Sequence, residues 1–269
     1  MFDDETTVIY RNYVLEHYKL IPYLYTTGNQ AREQGISSIT PLQPPDKLHP
    51  IHNPEPTTYS YLLGEHLLIH PVLTNMDDEL SNVNVGFSHV AMTFPGVETD
   101  QWLDYFKPFD LSAIHNGNTK THKFVKLNDY AVYVKRGSMI PLAPTATTLL
   151  AKDKDYTSSP VIFTWYAPVP NTPQVTSEVR EYEGSGLIGT AVFKDNEIAL
   201  TISAHDTRNG GFEVYGITEP SDVSVEQAKL SVPCVHHYLE RESKLTVKCA
   251  ALSAGKYMYY DEAVYYNQL

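Results

Sequence analysis

The spacing of hydrophobic positions changes near residue 60. Before it, Tyr10, Tyr13, Val14, His17, Leu20, Ile21 and Leu24 recur every three or four residues. That period predicts a long helix over residues 5–34 with a single apolar stripe. Asp3 or Asp4 is placed to cap it, and Glu5 suits the positive helix end. Pro22 lies inside the pattern, where it removes a donor and clashes one turn back, so it must kink or split the helix. Gly28 and Gly35 are candidate stops. Residues 36–58 hold six prolines and no apolar period, which predicts a long ordered loop.

Beyond that loop the period shortens to two. Strand patterns run over 67–73, 83–87, 89–94, 131–135 and 139–142, then over 161–166, 187–194, 197–203, 212–217, 230–239, 244–250 and 255–260. Turn residues separate them. This spacing predicts antiparallel sandwiches rather than βαβ units. Residues 143–160, rich in Thr, Ala, Asp and Ser, form the best linker.

One hairpin can be read in register. Glu240–Ser243 is a polar four-residue connection. Pairing Leu239 with Lys244 sets His236 opposite Val247 and Cys234 opposite Cys249. The face carrying Cys234, Tyr238, Leu245, Val247 and Cys249 is the core face, and Val235, His237, Lys244, Thr246 and Lys248 fall on the other. Cys234 and Cys249 are then at a separation that suits either a disulfide or two buried thiols packed as small hydrophobes.

Composition narrows the function classes. Apolar residues make up 42% of the 269, which excludes a disordered chain. The net charge of −12 has no basic stretch within it, which argues against a nucleic-acid surface. No apolar run reaches the ~20 residues that span a bilayer. The acidic start, Met1 to Glu5, resembles neither a signal nor a transit peptide. Two cysteines make neither a metal cluster nor a disulfide-dense scaffold. Twenty tyrosines and eighteen prolines point to a β-rich chain that handles polar ligands.

The residues that carry chemistry form no familiar motif. There is no phosphate loop, no dinucleotide fingerprint, no HExxH, no CxxC and no GxSxG. His49 and His52 share a loop, and His66 and His70 flank a strand, where a four-residue step does not make one face. His236 and His237 point to opposite faces. These are read as solvated or hydrogen-bonded histidines, and neither a metal nor a cofactor is implied. The acidic groups Asp77–Glu79, Glu98/Asp100/Asp104 and Glu181/Glu183 lack the context of an acid/base pair. Trp102, with Tyr105 and Phe106, is either a carbohydrate-stacking platform or the packing of a sandwich edge.

Ordered blocks then carry a resemblance. Tyr10–Thr26 resembles the R-Y-x-L-L-P-Y-x-Y-T helix of glycoside hydrolase family 31, with His17 in place of the usual arginine. Ala31–Gly35 resembles its E-A-x-x-x-G helix end. Ile39–Leu42 resembles V-x-R-P-L, with Thr40 in place of arginine. Tyr61–Val72 resembles F-x-L-G-x-x-L-L-V-A-P-V, Val90–Gly96 resembles V-Y-L-P-x-G, and Trp102–Tyr105 resembles W-Y-D-x. Tyr130–Leu142 resembles I-P-V-F-V-R-G-G-S-I-I-P. Beyond residue 150 only Glu181–Gly186 faintly echoes L-Y-E-D-D-G.

The resemblance implies a (β/α)8 barrel followed by proximal and distal β-sandwiches. It also implies retaining hydrolysis of terminal α-glycosidic bonds by two aspartates. The family's nucleophile, acid/base and R-N-H motifs do not occur in this sequence, so no catalytic residue carries over. The expected fold is mainly β. A helical barrel remnant occupies 1–66, a proximal antiparallel sandwich 67–148 and a distal one 149–269. The expected role is support for the missing upstream barrel, with carbohydrate as the ligand class and no activity in this chain alone. The alternatives are a stand-alone carbohydrate-binding or interaction module, and a truncated piece of a longer gene.

Overall fold

A computed structural model describes residues 3–42, 59–73, 88–108, 110–143, 161–169, 175–180, 188–194, 197–203, 210–216, 222–227, 234–239 and 244–249. The expected strands 83–87 and 255–260 lie outside them. Helix α1 (Asp4–Lys19) starts on Asp3, whose Oδ1 accepts from the Thr6 amide at 2.7 Å. The chain turns at Leu20 and re-enters helix as α2 (Ile21–Gln34). Pro22 falls in the first turn of α2, where its missing N–H costs nothing, so the predicted helix splits there. Gly35 closes α2 at φ +70°, a left-handed position that favours glycine. Gly28 is not a stop and lies inside α2.

Strands β1 (Ile39–Pro41), β2 (Tyr61–Leu63), β3 (Leu67–His70), β5 (Gln101–Asp104), β6 (His115–Asn116) and β8 (Ala131–Lys135) form one sheet in the order β1-β2-β3-β8-β5-β6. Each pair in it is antiparallel. Strands β4 (Ser88–Phe94) and β7 (Thr119–Val125) make a separate antiparallel ribbon. The ribbon covers one face of the sheet, burying Val90, Met92 and Phe94 against Leu68, Trp102 and Tyr133. Strand neighbours of these residues, Leu67, Leu103 and Val134, pack on the opposite face with Tyr23 of α2 and with Ile140 and Tyr166. Burial on both faces explains why these strands read as continuous apolar runs.

Strands β9 (Met139–Leu142), β10 (Val161–Tyr166), β14 (Gly210–Tyr215), β17 (Lys244–Cys249) and β16 (Cys234–Leu239) form a second sheet in the order β16-β17-β14-β10-β9. Strands β11 (Val175–Arg180), β12 (Ile188–Lys194), β13 (Glu197–Ser203) and β15 (Asp222–Gln227) form a third. The two sheets touch where Gly189 lies on the Phe163 ring; a Cβ there would sit 2.5 Å from it. The purely antiparallel expectation fails at two pairs, β10–β14 and β13–β15, which are parallel. The chain leaves one sheet for the other between the partners of each pair, and such a crossover returns it in the same direction.

The sheets run across both boundaries expected from the sequence. Strands β1 and β2 join β3, and β9 pairs with β10 across residues 144–160. Arg136 ties the first sheet to the second. Its Nε and Nη2 donate to the carbonyls of Ala167, Pro168 and Gly216, each at 2.9 Å, and its Nη1 reaches Gln101 Oε1 at 3.1 Å. Burial lowers the pKa of this guanidinium.

The hairpin register matches the reading from sequence, with Leu239 opposite Lys244, His236 opposite Val247 and Cys234 opposite Cys249. Its two faces are less distinct than expected. Lys244, placed on the outer face, is buried with its Nζ 2.9 Å from Glu213 Oε1 and 5.2 Å from the Tyr215 ring centre. A buried ammonium needs such a partner.

Candidate functional site

Helix α1 buries no residue completely. It lies across the first sheet and leaves a groove of about 170 Å³ beside it. Tyr13, Glu16, His17 and Leu20 form the helical wall. Leu63, Leu67, Ile69 and Val132 form an aliphatic floor. Tyr105, Phe106 and Tyr130 close the other side.

Three rings meet at the mouth at steep angles. Tyr13 and Tyr130 have centres 4.1 Å apart at 59°, and Tyr13 and Phe106 have centres 5.9 Å apart at 86°. The Tyr13 hydroxyl donates to the Asn128 carbonyl at 2.6 Å, which pins the helix to the turn before β8. Tyr105 donates to Glu16 Oε1 at 2.6 Å. Lys19 Nζ lies 3.4 Å from Glu16 Oε2. Burial first, then the fields of Tyr130, Asp129, Asp104 and Glu16, holds the Tyr13 phenol well above its ordinary pKa. Tyr105 is raised for the same leading reason, with Glu16 as its main charged neighbour. Both therefore remain neutral donors.

The structure distributes the residues singled out from sequence. Trp102 is 2% exposed, and its indole N–H donates to the Pro95 carbonyl at 3.1 Å. Its ring packs among Leu68, Phe94 and Tyr133, so both faces are occupied by protein. Tyr105 is buried, whereas Phe106, one residue on, is 38% exposed. Asp104 accepts from the Phe106 and Lys107 amides and pairs with Lys123 at 3.1 Å. Asp100 pairs with Lys135 at 3.0 Å. Asp77–Glu79, Glu181, Glu183, His49 and His52 lie outside the described residues.

His66 and His70 do not converge. His66 Nδ1 lies 3.1 Å from Ser138 Oγ, and His70 Nδ1 lies 2.7 Å from Ser60 Oγ. His70 is 2% exposed, and its Nε2 meets no hydrogen-bond partner among the described residues. Burial, aided by the nearby His115, pushes the His70 pKa down to about 4. Among the described residues no third group orients the imidazole, and Ser60 and His70 are both buried, so theirs is a core contact. No group of three or more His, Cys, Asp or Glu among the described residues is arranged to hold a metal. No helix among them is long and apolar enough to cross a membrane.

The groove was missed because its parts lie far apart in sequence. Tyr13 was visible in the helical stripe and Phe106 in the patch after Trp102. Nothing local joined them to Tyr130.

No family model matches the chain. It is 30% identical over 146 residues to an uncharacterized family 31 glucosidase of Schizosaccharomyces pombe, a match covering 52% of this chain and 13% of that protein. Its fold is similar to that of a GH31 dextranase of Flavobacterium johnsoniae, with a TM-score of 0.65 at 20% identity over 92% of this chain and 32% of the dextranase. It is also similar to a cycloalternan-forming enzyme of Listeria monocytogenes, with a TM-score of 0.58 at 16% identity over 93% of this chain and 23% of that enzyme. The chain thus spans about an eighth of the curated relative and about a third of the dextranase. It resembles the family 31 glycoside hydrolases, in sequence and in fold, over a C-terminal part of their length.

Proposed function

We propose that this chain is the supporting C-terminal part of a retaining α-glycoside hydrolase of the α-glucosidase type. In this reading residues 1–66 carry the C-terminal helix and loop remnant of a (β/α)8 barrel, and residues 67–148 and 149–269 are its proximal and distal β-sandwiches, with β1 and β2 joining the first and β9 the second. The catalytic aspartates belong to the rest of that barrel, which is the partner of this chain. The carrying observation is the 30% identity to a family 31 glucosidase, together with a fold likeness over 92% of the chain. The helical layer adds support. Val8, Tyr10 and Tyr25 are 44%, 71% and 50% exposed, so α1 and α2 offer apolar surface to a further layer.

Two measurements test the reading. Purified alone, the chain is expected to leave a nitrophenyl α-glucoside intact; hydrolysis would overturn it. Coding sequence upstream is expected to contain an aspartate in a W-x-D-like strand end. A native start at Met1, with sugar affinity in the isolated chain, would favour a stand-alone binding module instead.

The Cys234–Cys249 register supports a cross-strand disulfide as part of the same reading. Intact mass before and after reduction and alkylation reads it. Two thiols that alkylate without reductant would exclude it.

A further inference from the structure

The ribbon of β4 and β7 turns a pair of histidines outward. Val90, Met92 and Phe94 of β4 point into the core, so the alternation sends His89, Ala91 and Thr93 to the other face. In the register of the pair, Phe124 is opposite His89 and His122 is opposite Ala91, which puts all four residues on that face. The short Ala91 side chain leaves room for the His122 ring to meet His89. Their ring centres are 4.6 Å apart, with planes 19° from parallel. His122 is exposed and His89 half-buried. The Phe124 ring flanks His89 at 5.4 Å and is 47% exposed. The two histidines are diagonal neighbours on hydrogen-bonded strands, so the backbone fixes their spacing.

We propose that His89 and His122 form a two-imidazole site for a late first-row divalent ion, Cu²⁺, Ni²⁺ or Zn²⁺. Two imidazoles that share one ion at metal–nitrogen distances of about 2.0–2.1 Å hold their ring centres about 4.5–5 Å apart. The observed 4.6 Å falls in that range. Turning each ring about its Cβ–Cγ bond, a soft torsion for histidine, aims one nitrogen of each at a common point. Each ring keeps its other nitrogen for a hydrogen bond. Imidazole donors suit these ions and not Mg²⁺ or Ca²⁺, which take oxygen ligands. No third His, Cys, Asp or Glu completes the set among the described residues, so water fills the remaining positions and the ion exchanges with solvent. A bound ion joins β4 to β7 and stabilises the ribbon that covers the first sheet. The site lies outside the groove beside α1 and stands independently of the proposed hydrolase context.

Calorimetric titration of the full chain with Cu²⁺, Ni²⁺, Zn²⁺ and Mg²⁺ at neutral pH tests this. Cu²⁺ is expected to bind tightest and Mg²⁺ not to bind. Pulsed EPR of the Cu²⁺ form should show nitrogens from two imidazoles. His89→Gln and His122→Gln should each weaken Cu²⁺ binding by at least about tenfold, because one ligand alone loses the chelate advantage. Zn²⁺ should raise the melting temperature of the parent chain and of neither variant. His122 is exposed, so its variant should keep the melting temperature of the metal-free parent, which separates loss of a ligand from loss of the fold. Unchanged Cu²⁺ affinity in both variants would overturn the proposal by placing the ion on other residues. So would an EPR signature of a single imidazole, Mg²⁺ binding as tight as Zn²⁺, or no saturable Cu²⁺ binding.

Discussion

Trp102 and Phe106 are four residues apart, yet they belong to different aromatic clusters. Trp102 lies mid-strand in a sheet covered on both faces, and its ring is enclosed with Phe94 and Tyr133. Phe106 follows the last residue of that strand, Asp104, by two positions and meets Tyr13 and water. Burial extends one residue past the strand to Tyr105, and only Phe106, the next ring, reaches the surface. Aromatic density along the sequence therefore does not show which ring faces a ligand.

The contrast can be broken most severely at its closed end. Trp102→Ala should cost about 3–5 kcal/mol, because it removes a full ring from a cluster that cannot collapse around the void. Urea denaturation measures it. A loss below about 1 kcal/mol would mean that Trp102 is not enclosed as described.

Acid should loosen the same cluster next. His70 stacks edge-on to Phe94 and Tyr133 at 5.6 and 5.9 Å. Its folded pKa, about 4, lies below the unfolded value near 6.5, so protons bind the unfolded chain more tightly. The stability it contributes is complete above about pH 6.5 and is lost as pH falls toward 4, by about 3 kcal/mol in all. His70→Phe should flatten that part of the pH profile; an unchanged profile would remove His70 as its origin.

The open cluster should respond less. Tyr13→Phe deletes the hydrogen bond to the Asn128 carbonyl and should cost about 1 kcal/mol. Thermal melts read it, and a neutral result would mean that water replaces the bond. Phe106→Leu, at a ring 38% exposed, should change stability by less than about 0.5 kcal/mol. A larger loss would show that Phe106 is part of the core rather than of the mouth.

Local signals were legible where a single residue type forces a backbone outcome. Asp3 capped, Pro22 split and Gly35 closed the helices, and the Leu239–Lys244 register carried through to Cys234 and Cys249. Other signals misled. The helical stripe pointed to Ile21 and Leu24 as the buried face of α2, whereas Pro22, Tyr23, Thr26 and Thr27 are buried. Tyr23 is held there by donating to the Leu63 carbonyl at 2.7 Å, a contact 40 residues away. Strands β2, β5, β6, β7, β11 and β15 did not stand out from the alternation along the sequence. The polar, half-exposed pattern of β7 lacks the apolar alternation that marks a strand.

By itself, the sequence determined the helix ends, most of the strands, the hairpin register and the family resemblance. These depend on backbone chemistry and on spacing within a few residues. Tertiary structure alone decided that two strand pairs run parallel, that Trp102 is enclosed, and that Tyr13, Phe106 and Tyr130 share a groove. Each of these depends on which distant segment covers a given face. Burial is a property of that covering segment as much as of the residue it covers.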